Sequence, residues 1–200
     1  MSSLSGLGRS LVILCAAAVL AGCGTVRETM PDRSAMEQFV ISTAADRAIT
    51  AMPAGELDGK KVFLDVSNLE CYDKPYVVQR IEQAVLDGGG SLAASREEAD
   101  VVLEVASGGL SMNKHDYLLG IPELPVPVPF AGGPLVLPEI PIFKAVFYTG
   151  RAKLLFSAVD PATSTLLYET PICYGKSTHS FWWFLIMGPF KWSDLPEGAR

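Results

Sequence analysis

The segment "KKVFLDVSNLECYDKPYVVQRIEQAVLDGGGSLAASREEADVVLEVASGGL", residues 60–110, carries the clearest periodicity in the chain. Its first residues, 60–66, alternate apolar and polar side chains, which predicts a half-buried strand. Residues 73–87 follow helical spacing, with a proline in the first turn and glycines directly after them. A short strand at residues 91–94, a charged turn and a long apolar strand from residue 101 complete the segment. This order predicts an α+β domain whose helix covers one face of a sheet.

The regions on either side extend this prediction. Residues 144–160 alternate as a half-buried strand, a turn follows, and residues 166–175 return as the partner strand. Upstream, Ser34 with Glu37 three residues later predicts a capped helix start. The sequence therefore predicts one domain over residues 33–200, with a mostly antiparallel sheet and its helices on one face.

A proline-rich segment interrupts the pattern. The run "LLGIPELPVPVPFAGGPLVLPEIPIF", residues 118–143, is strongly apolar but contains seven prolines. Each proline removes a backbone N–H, so the run excludes a regular helix. We expect an extended arm that packs mainly on its own domain, with its proline-rich loop facing the membrane or a sister subunit. The alternative for this arm, and for the aromatic run at residues 181–192, is an exposed patch that contacts the bilayer or an identical subunit.

The N-terminus predicts export. Arg9 precedes an apolar run at residues 11–22, which is too short to cross a bilayer and is typical of a secretory signal. The run ends in "LAGC", residues 20–23, which closely resembles the bacterial lipoprotein signal. An ordinary signal peptide with a chance cysteine is the alternative.

The lipoprotein resemblance implies where the mature chain begins. Residues 1–22 would be cleaved as the signal peptide, and Cys23 would carry the lipid. Residues 23–32 would then form a tether of roughly 30 Å at full extension, which keeps the domain near the membrane. Gly24 replaces the aspartate that retains lipoproteins at the inner membrane, so the resemblance implies an outer-membrane lipoprotein that faces the periplasm or the cell surface.

Two further cysteines remain in the domain. Because disulfides persist in an oxidising compartment, a bridge between Cys71 and Cys173 is the favoured interpretation. Two separate buried thiols are the alternative, since sequence alone does not give their separation.

The remaining polar residues do not form a catalytic pattern. The net charge of -6 argues against nucleic acid and against a polybasic dock on anionic lipid. Neither His115 nor His179 has the spacing of a metal site, and His115 beside Asp116 is interpreted as a polar turn at a strand end. The glycines at residues 88–90 follow a helix, which is the wrong order for a phosphate loop. We predict no catalytic residue, no cofactor and no metal site.

Family resemblances are partial. Residues 60–110 resemble the equivalent block of small outer-membrane lipoproteins of the TraT type, and are similar in layout to the sheet-and-helix domains of CsgG-like lipoproteins. TraT proteins carry a Gly/Ala-rich insert after this block, where this chain is proline-rich. The longer run from the first strand through "HDYLLGIP" to "GPF" resembles an uncharacterised lipoprotein family, a domain of unknown function.

Together these features predict a lipid-anchored, non-enzymatic structural or assembly element of the bacterial cell envelope. Its partners would be the membrane, through the lipid, and an envelope protein or further copies of itself. The alternative is an oligomeric TraT-like or CsgG-like surface or export component, and a periplasmic hydrolase is third. A pocket that holds Cys71 or His115 beside a carboxylate would favour the enzyme, whereas a flat apolar face would favour the oligomer.

Overall fold

A computed structural model of the chain describes residues 33–126, 135–185 and 187–199. The expected signal peptide, Cys23 and the tether lie outside the described residues. The part of the chain from Arg33 onward forms one compact unit of mixed α and β structure. Its sheet is mostly antiparallel, as predicted.

Two α-helices, α1 (Ala35–Thr50) and α2 (Lys74–Asp87), occur in the described residues. The predicted cap of α1 is confirmed, because the Glu37 amide donates to the Ser34 hydroxyl at 3.2 Å. At the start of α2, Asp73 makes no side-chain capping bond; its carboxylate instead accepts from the Arg33 guanidinium, with N···O distances of 3.1 and 3.0 Å. The two helix starts are therefore joined by an ion pair.

The strands form two sheets. The strands are β1 (Lys61–Asn68), β2 (Ser91–Leu92), β3 (Val101–Ile121), β4 (Leu124–Val126), β5 (Leu135–Leu137), β6 (Ile140–Val159), β7 (Leu166–Glu169), β8 (Cys173–Phe184) and β9 (Met187–Ser193). The main sheet has the order β2-β1-β3-β6-β8-β9, and β7 pairs with the end of β6. Only the β1 pairings with β2 and β3 are parallel; the other described pairings are antiparallel.

The core lies between the helices and one face of this sheet. In β6 the side chains of Ala152, Leu154, Phe156 and Ala158 point into it, and Ala44, Ala45 and Ala48 of α1 meet them fully buried. The helix lies so close to β8 that a Cβ placed on Gly175 would be 1.8 Å from the Ala44 carbonyl oxygen. Glycine is required at this position because any side chain would meet helix backbone.

The proline-rich segment differs from the prediction in its packing. Its described residues are extended, as expected, because β3 and β6 continue into it and pair with each other as far as Ile121 and Ile140. They do not cover the domain, however: Leu119 is 63% exposed and Ile140 is 58% exposed. The physical reason is that a hairpin satisfies its own backbone hydrogen bonds and needs no contact with the core. The loop at residues 127–134 lies outside the described residues.

Candidate interaction surface

The far ends of four strands form a sheet that projects beyond the core. We call this part, residues 112–121 of β3, 140–149 of β6, 178–184 of β8 and all of β9, the distal sheet. Directly paired residues of antiparallel strands share one face. Since Ala152 and Leu154 of β6 face the helices, the odd-numbered residues of β6 face away from them. We call the face turned away from the helices the outer face.

The outer face of the distal sheet carries an aromatic patch. In one row, Tyr117, Ala145, Trp182 and Phe190 lie side by side across four strands. The aromatic patch comprises nine side chains, all at least 36% exposed: Tyr117, Leu119, Phe143, Phe147, Trp182, Phe184, Met187, Phe190 and Trp192.

Ring contacts hold the aromatic patch in a fixed arrangement. The rings of Trp182 and Phe190 stack with centroids 4.4 Å apart. Tyr117 and Phe147 meet edge to face at 5.8 Å. These separations are typical of favourable aromatic pairs, so the patch is preformed.

The helix-facing side of the distal sheet is better covered. There Val146 and His179 are buried, and Phe181 is partly buried. The ammonium groups of Lys191 and Lys114 lie over the rings of Phe181 and Tyr148, at 5.8 and 5.9 Å from the ring centroids. In the four-strand region the exposed aromatic side chains are thus concentrated on the outer face.

Three positively charged side chains lie next to the aromatic patch on the outer face. Arg151 pairs with Lys176 across β6 and β8, and Lys153 lies two residues further along β6. With Tyr174 and Ser111 they line a depression of about 310 Å³. We call Arg151, Lys153 and Lys176 the cationic band. In the described part of the chain they form no salt bridge, whereas Lys114 pairs with Asp116 at 3.0 Å and Lys144 pairs with Glu139 at 2.7 Å.

The sequence gives part of this surface, because an exposed patch is the alternative interpretation of the aromatic run at residues 181–192. The alternation over residues 144–160 predicts a half-buried strand, and it already places Arg151 and Lys153 on the side of Phe147. What was missing was the pairing with β8 and β9, which brings Trp182, Trp192 and Lys176 beside them.

The structure does not bring the side chains of His115 and Asp116 together. The two residues lie inside β3 rather than in a turn at a strand end, because β3 extends to Ile121. As neighbours in a strand they point to opposite faces. Asp116 pairs with Lys114 on the helix-facing side, while His115 lies opposite Phe147 on the outer face.

The cysteines are both free thiols in the structure. Strand pairing does not bring them together: Cys71 follows β1, Cys173 begins β8, and two strands, β3 and β6, lie between these elements. Neighbouring strands are about 4.8 Å apart, so β1 and β8 are roughly 14 Å apart across the sheet, which is more than a disulfide spans. Burial raises the pKa of each thiol, which keeps both protonated and poorly nucleophilic.

His179 is the most unusual polar residue of the core. It is 1% exposed, and neither ring nitrogen has a hydrogen-bond partner among the described residues. Its ring meets that of Phe181 at 4.5 Å. Burial, and then the nearby charge of Lys191, lowers the pKa of His179, so the imidazole is neutral in the folded protein.

This burial predicts a loss of stability in mild acid. Below the ordinary histidine pKa of 6.5, the unfolded chain binds a proton that the folded chain excludes at His179. The free energy of unfolding should therefore fall as the pH drops through and below this value. Urea unfolding at a series of pH values should give a shallower pH dependence for His179→Leu than for the wild type. His115→Leu, at an exposed position, is the control and should keep the wild-type slope; equal slopes for all three proteins would contradict the assignment.

The described residues contain no group of three or more His, Cys, Asp or Glu side chains that could hold a metal ion.

Asp46 of α1 is a well-connected carboxylate on the helix side. It accepts from the Tyr76 hydroxyl at 2.9 Å and from Arg80 Nε at 3.0 Å. This network joins α1 to α2, so it has a structural explanation.

The helices of the described residues are not long and apolar enough to span a bilayer. Comparison with known proteins finds no match among curated proteins or solved structures. A family of unknown function, DUF6655, matches residues 17–199. Since this match covers most of the chain, the protein belongs to that family.

Proposed function

We propose that this protein is a lipid-anchored component of the bacterial cell envelope, and that it acts as a non-enzymatic structural or assembly element at the outer membrane. The observation that carries the proposal is the one-sided aromatic patch on the distal sheet. A preformed apolar surface of this kind is typical of a binding function. Exposing it has no advantage for the stability of the domain itself.

The sequence around Cys23 supports the anchor. A basic residue, an apolar run and "LAGC" follow one another in the order of a lipoprotein signal. Two or more acyl chains on one cysteine hold a protein firmly on a bilayer. The short tether to Arg33 then keeps the aromatic patch within reach of the membrane and of envelope proteins.

The positions of the nucleophilic and basic side chains support a non-enzymatic role. A thiol or hydroxyl nucleophile needs an adjacent base that a third group orients. The thiols of Cys71 and Cys173 have raised pKa values, and neither Cys71 nor His115 lines the depression beside the cationic band. His179 is enclosed by its neighbours and has no carboxylate partner within the described part of the chain.

A second candidate is an oligomeric surface or export component of the TraT or CsgG kind. The observation that favours it is the pair of open strand edges of the distal sheet. Among the described residues, β3 pairs with β1 only as far as Ala106, which leaves the edge of its distal half unpaired, and β9 has only β8 beside it. Open, apolar edges of this length are templates for pairing with another chain. The resemblance of residues 60–110 to those proteins is the second support.

Separation of inner and outer membranes on a density gradient tests the proposal. The protein should sediment with the outer-membrane fraction and remain in it after a high-salt wash, because the lipid anchor does not depend on charge. Recovery in the soluble periplasmic fraction would contradict an anchored protein. Crosslinking in intact cells then separates the two candidates: a ladder of multiples of this chain supports the oligomer, whereas one species linked to another envelope protein supports the assembly element.

A further inference from the structure

We propose that the outer face of the distal sheet docks on the surface of an anionic lipid bilayer, with the aromatic patch at the level of the headgroups and the cationic band on lipid phosphates. This inference rests on the proposed envelope location, which places a bilayer near the domain. It goes further by naming the surface that makes contact and the lipid chemistry that it recognises.

The shape and composition of the patch suit a planar, amphipathic partner. Tryptophan and tyrosine rings are enriched where a membrane meets water, because they combine an apolar body with a polar group. Tyr117, Trp182 and Trp192 all lie in the patch, and Trp192 is 57% exposed. Because these exposed rings lie on one face, the sheet can lie on a bilayer while its unpaired strand edges remain in the hydrated interface, where water satisfies them.

Charge complementarity identifies the lipid as anionic. Arg151, Lys153 and Lys176 have no acidic partner in the described part of the chain, although the protein as a whole carries a net charge of -6. The net charge of the whole protein argues against binding to anionic lipid, but a net charge does not show where on the surface the individual charges lie. Cations close to an anionic membrane each contribute favourably, and this attraction decays within about 10 Å.

The spacing along the strand allows both groups to reach the surface together. Phe147 and Arg151 are four residues apart on the outer side of β6, or about 14 Å at the usual rise of a strand. A sheet that lies flat therefore presents the aromatic patch and the cationic band side by side to one plane.

A second copy of this chain fits the outer face less well. The patch and the band contain cations but no acidic side chain. Two copies that met through this face would bring their cations into a shared interface without an opposite charge, which is unfavourable. A bilayer with phosphate groups supplies that charge.

Vesicle co-sedimentation of a form that lacks residues 1–23 tests the inference. This form carries no lipid, so its result does not depend on the anchor, and it retains the core residues from Val40 to Leu195. We expect it to bind vesicles of equal parts phosphatidylglycerol and phosphatidylcholine, and to bind pure phosphatidylcholine vesicles much more weakly. If this form does not bind anionic vesicles but the full-length protein is found in the outer membrane of cells, the proposed docking surface alone is overturned. If the full-length protein is instead recovered in the soluble fraction of cells, the proposed function is overturned.

Matched charge variants locate the binding surface. Neutralising the cationic band (Arg151→Gln, Lys153→Gln, Lys176→Gln) should weaken binding to the anionic vesicles roughly a hundredfold, because each cation contributes to the attraction. The control neutralises three cations at the opposite end of the sheet, Lys60→Gln, Lys61→Gln and Arg96→Gln, and should bind like the wild type. The proposal would be overturned if both triple variants lost vesicle binding equally, or if the wild type bound both vesicle types equally. It would also be overturned if the protein formed an oligomer without vesicles and the substitutions Trp182→Ser and Trp192→Ser dissociated that oligomer.

Discussion

Replacing Gly175 with alanine is expected to reduce the free energy of unfolding by about 3 kcal/mol, the upper part of the range for overpacked cores. The added Cβ would meet the Ala44 carbonyl oxygen at 1.8 Å and the Ala48 amide nitrogen at 2.8 Å. Both atoms belong to the helix backbone, so no side-chain rotation can relieve the clash. Helix α1 must move away from β8, which opens the contacts of the buried alanines on the same helix.

Thermal unfolding measures this effect. For a domain of this size, the change corresponds to a Tm lower by roughly 6–12 °C. Gly55→Ala is the matched control, because nothing lies within 4 Å of a Cβ at that position. The control should be neutral or slightly stabilised, by about 0.4–1 kcal/mol at most. A Gly175→Ala protein as stable as the control would show that α1 does not lie against β8 in this way.

Replacing Cys23 with serine should remove the protein from the lipoprotein pool of the membrane. A serine hydroxyl does not form the thioether that carries the lipid, so we expect incorporation of labelled fatty acid to fall to background. The protein should then accumulate as an uncleaved precursor or as a soluble form. Labelling with radioactive palmitate, followed by detergent phase separation of the two forms, measures both outcomes.

The control for this substitution is Cys15→Ser. This cysteine also lies in the N-terminal apolar run, but outside the "LAGC" motif. It should leave labelling and membrane association unchanged. Label retained by Cys23→Ser would mean that another residue carries the lipid.

Local patterns predicted the elements that bury a face against the core. The N-cap at Ser34, the alternation of β1 and the helical spacing of α2 each depend on nearby residues, and each appears in the structure. The buried face of α2, which contains Val77, Ile81 and Val85, also follows directly from its spacing.

The distal sheet could not be predicted in this way. Alternating apolar residues indicate a strand that buries one side, and the pattern is the same whether that side meets the core or remains exposed. The length of β6 gives a clear example: Phe156 is fully buried in the core, whereas Phe147 on the same strand is 37% exposed on the outer face. The two residues lie on opposite faces of the strand, and which face the helices cover is a tertiary property.

The disulfide prediction failed for a related reason. It required β1 and the strand of Cys173 to be neighbours, but the chain order of strands does not give their order in the sheet. The insertion of β3 and β6 separates β1 from β8, the strand that Cys173 begins.

The most direct test of a lipid-anchored envelope protein is the mass of its N-terminal peptide, taken from protein extracted from membranes with detergent. We expect a peptide that begins at Cys23 and carries the added mass of acyl chains on its sulfur and its amine. A mature N-terminus at any other residue, or an unmodified Cys23, would contradict the account.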